Sequence, residues 1–350
     1  MKTTRPTKRA SVLTASLLFT AILPSRTAAS DGATVIATID LGANETAFAL
    51  AVNSRTNKTY VTPGFELGCD SQFVSVIDDR TNTELAPIKV GLSPFGLAVH
   101  PKTNQIYVAN AGGCTENEPS NTVSVIDGNT DRVIKTIALD GLGPAFVAIN
   151  PKTNKIYVTM SGGCCTDGNT VAVIDGSTDS VHYIDVALDP FMVAVNPRTN
   201  LVYVTHGFDL ITVIDGSTDT VKATFSIGSE AREIAFDPNG RYLYVAARNT
   251  NSLAVVDART NTVLENIPVG ARPHGVLFDP DNGRIYVTNR GRCDSTPGTV
   301  SVIDSGARTV LATVQVGACP RFLDRDPNTG LIYVPNASTS RSVSVLRDQD

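Results

Sequence analysis

Seven basic side chains stand near the ends of apolar runs in the second half of this chain: Arg232, Arg248, Arg272, His274, Arg290, Arg292 and Arg321. Guanidinium forks match carboxylates and other oxyanions, so a group of arginines sharing one concave surface would bind an anionic ligand. The other reading is that they pair with Glu230, Glu233 or Asp294 and only solvate the surface. His206 and His274 are the candidates for a general base, because imidazole titrates near neutral pH. Six cysteines (Cys69, Cys114, Cys164, Cys165, Cys293 and Cys319) are the remaining reactive groups, two of them adjacent in "SGGCCTDGN". No CxxC pair or nearby Cys/His pair is present, so a metal is not expected, and the absence of CxxCH excludes attached haem. GxGxxG, P-loop, HExxH, GxSxG and EF-hand patterns are also missing, and no cofactor is expected.

The elements that position these residues are copies of one unit. The tyrosine of an apolar-Tyr-Val run recurs as Tyr60, Tyr107, Tyr157, Tyr203, Tyr244, Tyr286 and Tyr333, 41 to 50 residues apart. A turn such as "NPKTN" or "DPNG" precedes each tyrosine. A "VSVID"-like run follows most of them, and a further run then closes on glycine, as in "IKVG" and "IPVG". Each unit reads as four short strands, rich in Val, Ile and Tyr and bent at Pro, Asn, Asp and Gly. The repeated "VIDGSTD" segments resemble calcium loops but recur unit after unit, as side-chain-to-backbone turns do. Seven such units predict an all-β fold, a seven-bladed β-propeller of four-stranded antiparallel blades. The seventh unit ends one strand short, and "TVIATIDLG" (residues 34–42) carries the missing fourth-strand pattern. That segment is expected to complete the last blade and close the ring, coupling distant parts of the chain.

"YVTN" stands at 286–289, with "YVAN" at 107–110 and "YVTM" at 157–160, each followed by a "VSVID"-like strand. On these motifs the chain resembles the YVTN-repeat β-propeller family over essentially its whole length after residue 30. The resemblance implies exported bacterial or archaeal propellers, some on cell-surface layers, and one periplasmic member that binds single-stranded DNA. More distantly the chain is similar to the propellers of quinoprotein amine dehydrogenases and of lactonases. The motif is structural and carries no catalytic residue across.

The 350 residues include 42% hydrophobic and 18% charged side chains, ample for one buried core, while 27 Gly and 19 Pro favour turns over helices. Residues 1–30 have a basic start, the apolar run "SVLTASLLFTAIL" and a small-residue end, the layout of a signal peptide too short to span a bilayer. Cleavage after Ala29 or Ser30 would leave a single propeller domain, residues 31–350, in the periplasm or at the cell surface, with no membrane span and as a monomer. Residues 1–30 hold five of the 29 basic residues and none of the 34 acidic ones, so the remainder carries 24 against 34, a net of −10. Bulk charge then gives no attraction to nucleic acid, and such a partner would need a local basic patch.

In an up-and-down blade the start of the first strand and the end of the second lie on one face. The mouth of the central channel on that face takes Phe48, Phe95, Ala145, Phe191, Arg232, His274 and Arg321. The second strands end with Arg248 in the fifth unit and Arg290 in the sixth. Units five to seven thus supply the cations. Units one to four offer Glu45, Glu66, Asp70, Glu116, Glu118, Asp167, Asp189 and Asp209 in nearby loops. The phenylalanines form either an apolar wall opposite or ordinary core. All six cysteines fall on the same face, four of them in the long loops of units one to three, and exported chains use an even number of cysteines as disulfides. Cys293 with Cys319 is the expected pair, and Cys164 and Cys165 each reach a different loop, because a bond between neighbours is strained. His100 reads as a turn residue on the lower face and His182 as surface. Asp324, where five other units carry Ala, is read as pairing with Arg325 or Arg321, or as a functional carboxylate near the channel. Three functions follow: a scaffold presenting this face to a protein, surface polymer or anionic ligand; an enzyme or redox partner, lactonase-like or quinoprotein-like, acting at the channel; and single-stranded nucleic acid binding, which needs aromatics beside the basic patch.

Overall fold

The computed structural model describes residues 1, 32–42, 46–64, 70–112, 121–141, 143–162, 168–338 and 341–349. The signal-peptide segment therefore lies outside the described residues, as do Cys69, Cys114, Cys164 and Cys165, along with Glu45, Glu66, Glu116, Glu118 and Asp167. Every regular element among the described residues is a strand, and none is a helix long and apolar enough to cross a membrane. The 28 strands form seven antiparallel sheets of four, in sequence order from the channel outwards in six of them. The seventh sheet runs Asp324–Arg325, Ile332–Asn336, Ser342–Asp348 and then Ala33–Asp40. Its outer pair is in antiparallel register from Ala33 opposite Asp348 to Asp40 opposite Ser342, with one shift between Val35 and Ala37. The N-terminal strand closes the ring.

Burial follows strand position. The middle strands are enclosed on both faces by neighbouring blades, which is why "IYVTN" and "VSVID" read as continuous apolar runs rather than alternating ones. The outer strands alternate, as in Arg132–Ala138, with solvent on one side.

Three letters of the repeated motif have mechanical tasks, two of them between blades. The tyrosine crosses the lower seam: Tyr60 donates to Asp131 of the next blade at 2.7 Å, and Tyr157 to Asp219 at 3.1 Å. The threonine crosses the upper seam, where the Thr159 hydroxyl donates to the Phe191 carbonyl at 2.8 Å and that of Thr288 to the Arg321 carbonyl. The asparagine fastens its own blade, Asn289 donating to Thr299 at 3.0 Å and to Ser301 at 2.9 Å. Gly270, which closes the preceding blade, lies so near Asn289 that an added Cβ would sit 2.5 Å from its Cγ. Close approach explains the glycine there, not unusual backbone torsion.

His100 is a turn residue, as expected. Its Nδ1 accepts from the amides of Lys102 and Thr103 at 3.1 and 3.2 Å, reproducing the oxygen of the Asn found at Asn150 or Asn196. His182 lies in an outer strand, exposed and 3.0 Å from Asp219.

Candidate functional site at the channel mouth

Four of the seven predicted basic residues meet. Arg232 and His274 project from the inner strands Ala231–Phe236 and Pro273–Asp279, Arg321 precedes the inner strand of blade seven, and Arg290 follows the second strand of blade six. With Phe48, Phe95 and Phe191 they line a cavity of about 300 Å³ at the upper end of the channel. The backbone sets their approach. The Arg290 amide donates to the Arg272 carbonyl at 3.2 Å, and the Thr288 hydroxyl joins the Arg321 carbonyl to the Gly275 amide, the latter at 2.7 Å. A single threonine thus sets the relative height of His274 and Arg321.

The phenylalanines do not stand apart from the arginines. Phe48, Phe95 and Phe191 join Phe146 and Phe322, the residues after the Ala145 and Arg321 mouth positions, in a floor across the channel with ring centroids 4.5 to 6.3 Å apart. The Arg232 guanidinium lies 4.4 Å from the Phe191 centroid and that of Arg321 lies 5.2 Å from the centroid of Phe48. Apolar wall and core are therefore one structure here. Sequence reasoning missed Phe146 and Phe322, although each follows a mouth position directly.

Electrostatics at the mouth is dominated by crowded positive charge. Burial, and then the fields of Arg248, Arg290 and Arg321, push the Arg232 guanidinium down to about 9. Burial and then Arg321, Arg232, Arg290 and Arg248 hold His274 well below the ordinary imidazole value, so it is neutral at pH 7. Its Nδ1 makes no hydrogen bond among the described residues. Glu230 joins both Arg232 and Arg248, the second at 3.0 Å. An anion entering the cavity would relieve this repulsion.

The other predicted residues take different places. Arg248 stands at the rim on Glu230, half-buried, and burial lowers its guanidinium. Arg272 and Arg292 are exposed and do not line the cavity. His206 is a correction. It occupies the asparagine position of its repeat and does that residue's work, with Nε2 2.9 Å from Thr212 Oγ1 and Nδ1 3.0 Å from the Leu188 carbonyl. Fully buried and bonded at both nitrogens, it has no access to a substrate as a base. Cys293 and Cys319 form the expected disulfide, with Arg290 Nε 3.3 Å from Cys319 Sγ.

Asp324 meets Arg325 through the backbone, not the guanidinium: its Oδ1 accepts the Arg325 amide and its Oδ2 the Val52 amide of blade one, each at 2.8 Å, while the Arg325 side chain turns to Asp279 (3.0 Å) and Asp281 (2.5 Å). Glu233 does the same between blades five and six, accepting the Val276 amide at 2.9 Å. Both carboxylates face a cavity of about 400 Å³ below the phenylalanine floor. Burial raises Asp324 to about 6 and Glu233 well above the carboxylate range. They answer inner-edge amides that no further strand pairs.

The fold and this mouth define a seven-bladed β-propeller with a basic, phenylalanine-floored pocket on one face. Residues 199–292, roughly a quarter of the chain, match the model of a family described as Lactonase, 7-bladed beta-propeller. Among solved structures, the chain named Kuenenia stuttgartiensis Hydrazine Synthase is similar in fold, with a TM-score of 0.74 and 21% identity over 88% of this chain and 97% of that one. No curated protein sequence matches the chain.

Proposed function

We propose that this protein binds a small oxyanion or carboxylate at the upper mouth of its channel, as a non-catalytic propeller of the YVTN-repeat type working outside the cytoplasm. The observation that carries this is the convergence of Arg232, Arg290 and Arg321, from three successive blades, on one cavity of about 300 Å³ with a neutral imidazole beside them. Guanidinium donors over an apolar floor select a ligand with a charged head and a compact body. The Cys293–Cys319 disulfide supports an oxidising compartment. Titration calorimetry of the purified protein with malonate, citrate and sulfate tests the reading. Saturable binding lost in Arg232→Gln with Arg321→Gln supports it, and no heat with any of the three refutes it. Single-stranded nucleic acid is disfavoured, because Phe48 and Phe95 are buried as floor, not offered as stacking platforms.

The family match favours a second reading, opening of a lactone at the same mouth, because residues 199–292 include Arg232, His274 and Arg290. Guanidiniums would stabilise the charge developing on the carbonyl oxygen, and the His274 Nδ1 would take a proton from the attacking water. Acid release from a panel of lactones, absent in His274→Ala, would establish it over simple binding.

A further inference from the structure

The seam that closes the ring differs from most others in the buried row of its lower face, although at its exposed edge Asn328 donates to the Ser54 carbonyl at 2.7 Å. At four seams a donor in that row answers an acceptor on the next blade. Asn53 donates to Asn104 at 2.8 Å, His100 Nε2 lies 3.0 Å from Asn154 Oδ1, Asn150 donates to Asn200 at 2.6 Å, and Asn196 donates to the Gly240 carbonyl at 2.9 Å. Between blades six and seven Arg325 answers Asp279. Between blades five and six the turn has one aspartate, Asp237, bonded to amides of its own turn, with Ser305 at the facing position.

At the seam from blade seven to blade one, the position of Asn53 is held by Asp326, fully buried, which lacks the side-chain amide that Asn53 donates. The turn it faces carries Asp79 where blades two, three and four have glycine. In blade two a Cβ at that glycine would lie 2.6 Å from the Asn53 amide nitrogen, so the Asp79 side chain grows directly toward Asp326. Asp79 is 7% exposed, and its carboxylate oxygens make no well-formed hydrogen bond among the described residues, the Thr59 hydroxyl being the one neighbour that lowers its proton affinity. The Tyr333 hydroxyl, the Thr59 hydroxyl and the Asn82 side-chain oxygen likewise make none among these residues. Tyr333 is the tyrosine that crosses this seam, and Asn82 occupies the turn position at which Asp131 and Asp219 receive the tyrosines of other seams. Asp326 uses its oxygens on its own turn, Asn328 and Thr329, with lone pairs remaining. Asp78 and Asp324 add to the negative field on Asp79, and the one cation of the adjoining strand, Arg325, is turned to the opposite seam.

We propose that the closure seam between blades seven and one binds a hard divalent cation, calcium by its all-oxygen donor set, held between Asp79 and Asp326 beneath the Tyr333 hydroxyl. No three His, Cys, Asp or Glu side chains among the described residues stand together as a metal cluster. Here two carboxylates share the work with the neutral oxygens of Asn82, Thr59 and Tyr333, and mixed sets of this kind suit calcium. The site latches the N-terminal strand's blade to blade one and is separate from the anion-binding mouth.

The test uses the full purified protein stripped with EGTA, followed by calorimetric titration with calcium chloride at pH 7.5 and thermal unfolding with and without the ion. One calcium per chain and a rise of several degrees in Tm are expected. Asp79→Gly, which installs the residue of the neighbouring blades, should fold and bind calcium at least tenfold more weakly. Asp127→Asn, in a repeated turn of blade two, should respond as the wild type does. Absence of both heat and Tm change overturns the proposal, as does an undiminished response in Asp79→Gly. A wild-type Tm that climbs as pH falls through 7 and ignores calcium also overturns it, assigning the two carboxylates a shared proton instead.

Discussion

Arg232 is held between Glu230 on one side and the face of Phe191 on the other, 4.4 Å from the ring centroid. A guanidinium so placed keeps its donors toward the cavity while its carbon stem is packed. Its depressed proton affinity shows that the charge is costly where it stands, with burial first and the neighbouring arginines next.

Replacing Arg232 by Gln should therefore leave the anion-free protein as stable as before or slightly more so. Affinity for malonate or sulfate should fall by about tenfold, or ~1.4 kcal/mol. Thermal shifts with and without the anion check both halves, and a large Tm loss in the anion-free variant would contradict this electrostatic account.

His274 gives a pH signature. Its folded-state proton affinity is lowered well below the ordinary value, so between that low folded value and 6.5 the unfolded chain binds the proton and the folded one does not. Stability should then drop as pH falls below 6.5. The natural control is His274→Phe, since Phe48, Phe95 and Phe191 occupy that position in other blades. Urea unfolding should show the wild type losing about 1 kcal/mol more than the variant between pH 6.5 and 5.5, with no such divergence between pH 7.5 and 8.5.

Removing the disulfide with Cys293→Ala and Cys319→Ala frees a loop whose ends are 26 residues apart. Chain entropy puts the cost at about 3 kcal/mol. Because Arg290 rests against the sulfur of Cys319, anion affinity should weaken in the same variant. Unfolding and anion titration on one preparation measure the two effects together.

Tyr157→Phe removes a single hydroxyl that crosses a seam, and leaves Asp219 with Lys155 at 2.7 Å. A loss of about 1 kcal/mol is expected by chemical denaturation. Gly270→Ala should cost more, about 1–3 kcal/mol, because the added methyl collides with Asn289 within a packed seam.

Repetition made the ring legible in the chain itself. Seven tyrosines at near-constant spacing, the fourth-strand pattern at residues 34–42 and the Cys293–Cys319 pairing are local or periodic signals, and strand geometry turns them directly into blades, closure and a shared face. The basic half of the mouth was legible for the same reason, since each repeat serves as a ruler for the next. What a linear reading could not decide is which side chain is spent on holding blades together. His206 and Asp324 look like chemistry in sequence, but His206 is consumed within its own blade by Thr212 and Asp324 across the closure by the Val52 amide, while Phe146 and Phe322 look like ordinary core and form the floor of the pocket. The Asp324 and phenylalanine assignments depend on contacts between blades, across the closure between residues 272 positions apart. Only closing the ring brings such groups within hydrogen-bond length, and at the last seam it sets Asp79 against Asp326.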